Sequence, residues 1–295
     1  MYRPKLTRVG RRESVAADRG GPALDRERML ALERVEILAK LDGQEGAPNA
    51  ARELGLVLQR VGGAWAFGRT RETTLYFNRV MGLGLERPGS PQDLAALKTF
   101  YAEHEIPVFR IALSPAAEPA GFESVLAAAG FGTYTHLVKW VRDASPAKTS
   151  ATELRIERAV RDEAEAMDEV LLAAFGGRPQ SVPLASAMVG RPNWHHYVAR
   201  DGGTLVAAAA MYAREGFAWL GAAGTLVSHR GRGAQGALIT RRIDDARSLG
   251  CHTITLETAP DQPGKPNPSS HNAERAGFQV AYRRPSWVFP DPGPV

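Results

Sequence analysis

From Ala234 to Leu249 apolar side chains recur at helical spacing: Leu238, Ile239, Ile243, Ala246 and Leu249 fall in one broad stripe, with Arg242 the charge inside it. Gly250 follows where a helix C-terminal glycine belongs. The pattern predicts a helix over 234–249 and a strand over Cys251–Glu257 directly after it. Upstream, Tyr197–Arg200, Thr204–Ala213 and Phe217–Val227 are apolar runs separated by Asp201-Gly202-Gly203 and Arg214-Glu215-Gly216, which predicts an antiparallel meander. Strand, helix and strand with so short a return imply a right-handed crossover and a parallel pair. A strand at Leu154–Glu157 and a helix from about Asp162 to Phe175 open this half of the chain.

The first half is also mixed. Helices are expected over Arg26–Leu41, Ala47–Val61 and Pro91–His104, with strands near Ala64–Gly68, Thr74–Asn78 and Pro107–Leu113. The halves are separated by Asp143–Ala151, small, polar and proline-containing. Each half closes alike: Ala129-Gly130-Phe131 lies nine residues before Trp140-Val141, and Ala276-Gly277-Phe278 nine residues before Trp287-Val288. An internal duplication is the natural reading. The expected division is a basic tail over 1–25 bearing Arg3, Lys5, Arg8, Arg11 and Arg12, a first domain over 26–143, a linker over 144–151 and a second domain over 152–291.

Composition narrows the class. The 295 residues, 44% hydrophobic and 23% charged, suit a globular chain of two domains and exclude collagen-like and disordered classes. Cys251 is the one cysteine, so neither an intramolecular disulfide nor a thiolate cluster can form, and a reducing cytosol fits. No apolar run reaches the roughly 20 residues of a membrane span, and neither a signal peptide nor a membrane partner is expected. His195 and His196 point to opposite faces of a strand, so no metal site is expected. The net charge of +5 favours an anionic partner without naming one, and nucleic acid is not expected.

The chemistry concentrates in Leu226 to Leu238. Its glycines let the backbone turn tightly and approach a ligand, and the turn feeds the N-terminus of an amphipathic helix, an anion-binding end. His229, Arg230 and Arg232 add cationic donors. Gly231–Gly236 also matches G-x-G-x-x-G, with Glu257 where a dinucleotide fold keeps its ribose-binding acid. Against that reading, Ser228-His229-Arg230 separates strand from first glycine, the preceding strand ends a meander, and little chain remains after Glu257. No Gly-Lys-Ser or Gly-Lys-Thr occurs, which excludes a Walker loop.

Arg230-x-x-Gly233-x-Gln235-Gly236 resembles the acyl-CoA loop of the GNAT superfamily of N-acetyltransferases, with Gln235 where a second glycine is commonest. The resemblance covers the second half and includes Asn272–Phe278. It implies an α/β fold with a mixed sheet and two tandem GNAT-like acyl-CoA N-acyltransferase folds. It further implies acetyl-CoA as co-substrate: the backbone of Gly231, Arg232, Gly233, Ala234, Gln235 and Gly236 would hold the pyrophosphate. Thr225, Leu226 and Val227 would hold the pantetheine arm and polarise the thioester, and Asn272 would bond the cofactor arm. In the first half the matching place is Arg87–Asp93, where Ser90 and Asp93 have capping-box spacing and Pro91 suits the first helical position. An acid at that helix end repels phosphate, so the first half is expected to bind no CoA.

For the reaction, Glu257 is the candidate general base through water, and Tyr282 the candidate acid in place of the tyrosine that many family members carry near the position of Ala273. His271 is a further candidate acid, and Glu215 is expected to lie exposed in its turn. The expected activity is transfer of an acetyl group from acetyl-CoA to an amine, on a small molecule or peptide, by direct attack in a ternary complex in the cytoplasm. An acyl-CoA-binding sensor or scaffold and an NAD(P)-dependent oxidoreductase stand as alternatives, and monomer and homodimer both remain open.

Overall fold

A computed structural model describes residues 24–71, 75–148, 150–176, 185–262 and 264–291. The expected basic tail lies, up to residue 23, outside the described residues. The chain divides into two units that are not consecutive stretches: the first takes the chain up to Arg34, Asn49–Val138 and the chain from Tyr282, the second Val35–Pro48 and Lys139–Ala281. Helix α1 (Arg26–Glu45) therefore contributes to both. No helix among the described residues is long and apolar enough to cross a membrane.

The first unit holds α2 (Pro48–Leu54), β1 (Leu56–Val61), β2 (Ala64–Arg69), β3 (Arg79–Met81), α3 (Pro91–Glu103), β4 (Phe109–Ala112), α4 (Phe122–Ala128) and the start of β5 (Gly132–Asp143). The helix expected over 47–61 stops at Leu54, because Gly55 turns left-handed at φ +61. Residues Leu56–Val61 pair instead with β2 through the two-residue turn Gly62-Gly63, both glycines at positive φ as a tight hairpin demands. The strand expected near Thr74–Asn78 is displaced to Arg79–Met81. Asn78 is spent on closing the loop: buried, it accepts a 2.8 Å hydrogen bond from the Arg69 amide. Leu94, Leu97, Phe100 and Tyr101 of α3 pack on Ala66, Val80 and Ile111 of the sheet, with Tyr101 stacked on Phe109.

The second unit holds β6 (Arg155–Arg158), α5 (Ala164–Ala174), α6 (Ala185–Met188), β7 (Trp194–Asp201), β8 (Thr204–Arg214), β9 (Phe217–Thr225), α7 (Ala234–Ser248), β10 (Thr253–Thr258) and α8 (Pro268–Arg275); β11 (Gln279–Phe289) starts here and ends in the first unit. Strand order runs β10-β9-β8-β7-β6, with β9 and β10 parallel and the other neighbours antiparallel. Alternation along β7 and β8 separates two faces. Val198 and Ala208 meet α5, and Trp194, Ala210, Tyr212 and Trp219 meet Val35 and Ala39 of α1. On the opposite face the Tyr197 hydroxyl donates to Asp245 of α7 at 2.8 Å.

Arg242, the charge in the apolar stripe of α7, is fully buried yet satisfied by backbone: Nε donates to Leu238 O at 3.0 Å and Nη1 to Ala210 O at 3.1 Å. Burial pushes its pKa down to about 10. The duplicated endings are matched in hydrogen bonding. Phe131 N bonds Leu126 O and Phe278 N bonds Ala273 O, both at 3.0 Å, around Gly130 and Gly277 at φ +79 and +82. These are paired Schellman closures of α4 and α8, which explains why each half needs Gly at that place.

Candidate functional site

Strands β9 and β10 pair in parallel from Phe217↔Thr253 to Leu220↔Leu256, and there the register ends. Ala222 then takes φ +43, and on its other side β9 shifts register against β8 between Ala208 and Ala210. A bulge twists a strand away from its neighbour. Small side chains, Gly221, Ala222 and Ala223, stand half-buried at this splay, the Trp219 ring covering Gly221.

Past the splay, Thr225 is buried, Leu226 packs against the α5 cluster, and Val227 is 67% exposed at the rim. A short 3-10 turn over Val227–His229 leads to Gly231 and Gly233, at φ +80 and +82, and α7 begins. Gly233 is the helix N-cap and supplies no side-chain cap. The matching helix of the first unit caps itself: Ser90 caps Asp93 N at 3.2 Å, Asp93 caps Ser90 N at 3.0 Å, and Arg87 pairs with Asp93 at 2.5 Å. The sequence expected this contrast from residue types alone.

Gln235 has a specific task. Its Nε2 donates to Thr225 Oγ1 at 2.8 Å, tying the first turn of α7 to the end of β9. The loop cations are held locally. Arg230 Nη2 donates to Ala174 O at the end of α5 at 3.2 Å, while Arg232 and His229 converge on Asp201 at 2.6 and 3.4 Å. The hydrogen bond from Arg232 holds the Asp201 carboxyl below its ordinary pKa. The segment Ala151-Thr152 also reaches the loop: Thr152 Oγ1 donates to Arg232 O at 2.7 Å, and a Cβ on Gly233 would overlap Ala151 O. Gly233 is thus required by the entering chain as well as by its own left-handed backbone.

Glu257 sits one residue past the last position of β10 paired with β9 and is half-buried. Thr258, its neighbour, turns to the other face, where its Oγ1 accepts from Trp140 Nε1 at 2.9 Å and meets Ser270 of α8 at 3.1 Å. Alternation puts Glu257 on the face of Thr255 and, through the register Thr255↔Trp219, on the face of Trp219.

The other expected site residues have partners of their own. Asn272, on α8, accepts from Arg275 at 2.6 Å with its side chain and from Ala276 N with its carbonyl, a helix-terminal role. The Tyr282 hydroxyl donates to Glu33 at 2.8 Å within the first unit, beside the buried Arg284–Glu33 ion pair at 2.6 Å. His271 lies 3.9 Å from Asp261 near the surface, and Glu215 pairs with Arg214 at 3.2 Å in an exposed turn.

Sequence reasoning missed the splay itself and the Gln235–Thr225 bond. Gly221 in the middle of an apolar strand was the available signal for the first.

Residues 160–265 match the family model described as Acetyltransferase (GNAT) family. No curated protein matches the chain by sequence. Among solved structures, a GCN5-related N-acetyltransferase from Kribbella flavida is 18% identical with a TM-score of 0.59, over 83% of this chain and 96% of its own. One from Sphaerobacter thermophilus is 17% identical with a TM-score of 0.57, over 90% and 93%. A tandem GNAT protein from the clavulanic acid biosynthesis pathway is 15% identical with a TM-score of 0.53, over 92% and 98%. The chain thus has the fold of these GNAT structures, a tandem GNAT protein among them, and its residues 160–265 match the GNAT acetyltransferase family model.

Proposed function

We propose that the second unit transfers an acetyl group from acetyl-CoA to an amine by direct attack in a ternary complex, and that the first unit binds no CoA. The observation that carries this is the end of β9–β10 pairing at Leu220↔Leu256, followed by a loop that delivers the α7 N-terminus without a side-chain cap. The backbone of Gly231–Gly236 receives the pyrophosphate, where amides and helix dipole favour negative charge. The stretch from the splay to Val227 takes the pantetheine arm, and a backbone N–H there polarises the thioester carbonyl. Glu257 removes the ammonium proton through water before attack. Tyr282 has no part in this reading, since its hydroxyl serves Glu33.

Gln235→Glu tests the loop: its carboxylate can accept from the Thr225 hydroxyl, reversing the bond that Gln235 Nε2 donates. A carboxylate in the first turn of α7 suits the helix dipole and keeps the side-chain shape, so folding survives, yet it opposes a pyrophosphate. Calorimetry should show acetyl-CoA affinity at least about tenfold weaker, a loss of about 1.4 kcal/mol or more. Unchanged affinity would remove the loop assignment. Binding without CoA release across a panel of amines would favour the sensor reading instead.

A further inference from the structure

Of the 37 Lys and Arg residues only six are lysine, at 5, 40, 98, 139, 148 and 265. Where this chain needs a positive charge it uses arginine, so the primary amines are few enough to follow individually. Lys5 lies outside the described residues, and Lys148 and Lys265 are exposed in loops. Lys98 belongs to the first unit, where its ammonium donates to Ala129 O at 2.5 Å. Lys139 is fully buried against Glu36 at 2.5 Å.

Lys40 differs from all of these. It stands on the part of α1 that belongs to the second unit, and its Nζ lies over the Trp219 ring, 4.5 Å from the centroid. That ring covers Gly221: a Cβ there would overlap it. Gly221 is the first residue of β9 past the last pair with β10, so the ammonium stands one aromatic ring away from the splay. Ala222, the residue at φ +43, packs against the cluster that contains Val35 and Ala39 of the same helix. Glu257 and Trp219 share this face. An amine and a carboxylate therefore stand on one side of the sheet, within one unit, on the face where β9 leaves β10.

We propose that Lys40 is a self-acetylation site, its ε-amine attacking the thioester of acetyl-CoA bound by the same chain; this rests on the acetyltransferase reading above. The ammonium first loses a proton to Glu257 through water. Nζ then bonds to the acetyl carbon as the carbon–sulfur bond breaks, and the second amine proton leaves to the CoA thiolate, giving an amide and free CoA. The flexible four-carbon stem lets the head leave the ring face. The acceptor that this face takes in trans is then an aliphatic primary amine on an unbranched stem, the chemistry that Lys40 presents.

The test uses the full chain with acetyl-CoA, followed by intact mass and peptide mapping. One acetyl group per chain should appear at Lys40, at a rate per molecule that does not change with protein concentration. Lys40→Arg should abolish that label, and Gln235→Glu should lower it at least as far as it lowers acetyl-CoA affinity. Label at other lysines in preference to Lys40 would overturn the proposal, as would label indifferent to Gln235→Glu or a rate that rises with protein concentration. Acetyl-CoA binding with turnover of added amines but an unmodified Lys40 would sink the self-acetylation and leave the acetyltransferase reading intact. Absence of acetyl-CoA binding would overturn both.

Discussion

His196 gives the second unit a stability that should fall as the solution is acidified. It lies on β7, 4% exposed and stacked on Trp194, and neither ring nitrogen finds a hydrogen-bond partner among the described residues. Burial, with the nearby His195 adding to it, lowers its pKa from 6.5 to about 4. Between those values the unfolded chain holds a proton that the folded chain refuses, so stability is complete above about 6.5 and declines as pH drops towards 4. Going from about pH 8 to about pH 5 should cost about 2 kcal/mol from this one group, and about 3 kcal/mol once it is protonated in both states. Asp143, Asp201 and Asp245, whose pKa values are lowered, lose their contributions only at lower pH. Urea titrations of wild type and His196→Leu at both pH values isolate the effect, because leucine fills a similar volume without a titrating group. The variant should lose about 2 kcal/mol less than wild type over that interval. Equal losses would mean that the imidazole is hydrated or paired in solution and that its burial has been misjudged.

Glu257→Gln should lower kcat for an amine acceptor while leaving acetyl-CoA affinity near wild type, and the loss should shrink at high pH where the amine is already neutral; wild-type turnover throughout would remove Glu257 from the mechanism. Gly233→Ala should cost about 2–3 kcal/mol in thermal or urea unfolding, because the position combines φ +82 with the close approach of Ala151 O, and a neutral result would contradict that packing. Lys139→Met takes an ammonium from a fully buried carboxylate and should cost about 3–5 kcal/mol, most of it recovered when Glu36→Leu is added; a neutral single variant would show the pair to be hydrated. Ser90→Ala should cost about 1 kcal/mol through the lost cap and leave acetyl-CoA affinity measured by calorimetry unchanged, since that helix end takes no phosphate; altered affinity would bring the first unit back into cofactor binding.

Long periodic segments were legible in the sequence because their signals are local. The meander, α7, the parallel return to β10 and the capping box at Ser90 all rest on spacing or turn chemistry within a few residues. Leu56–Val61 was not legible: the same apolar residues suit a helix face, and only Gly55 and the Gly62-Gly63 turn decide for a strand. The candidate loop could be placed because a glycine-rich entry to a helix is itself a local pattern. Its environment could not. The reach of Gln235 to Thr225, the Ala151 carbonyl beside Gly233 and Lys40 over Trp219 depend on residues up to about 180 positions apart, and no window along the chain contains them.

The division of α1 and β11 between the units sets an order of events during synthesis. Val35 and Ala39 of the second unit leave the ribosome more than 100 residues before the strands that cover them, and the first unit waits for Ser286–Phe289 to pair with β4. The first unit cannot close before the second has been made, so the familiar sequence in which an N-terminal domain folds before its successor emerges does not apply. Contacts of such high sequence separation slow folding and prolong the exposure of the apolar side of α1. A nascent chain stalled near the linker therefore carries two unfinished cores at once, and its solubility rests on whatever shields that helix until β9 has been added.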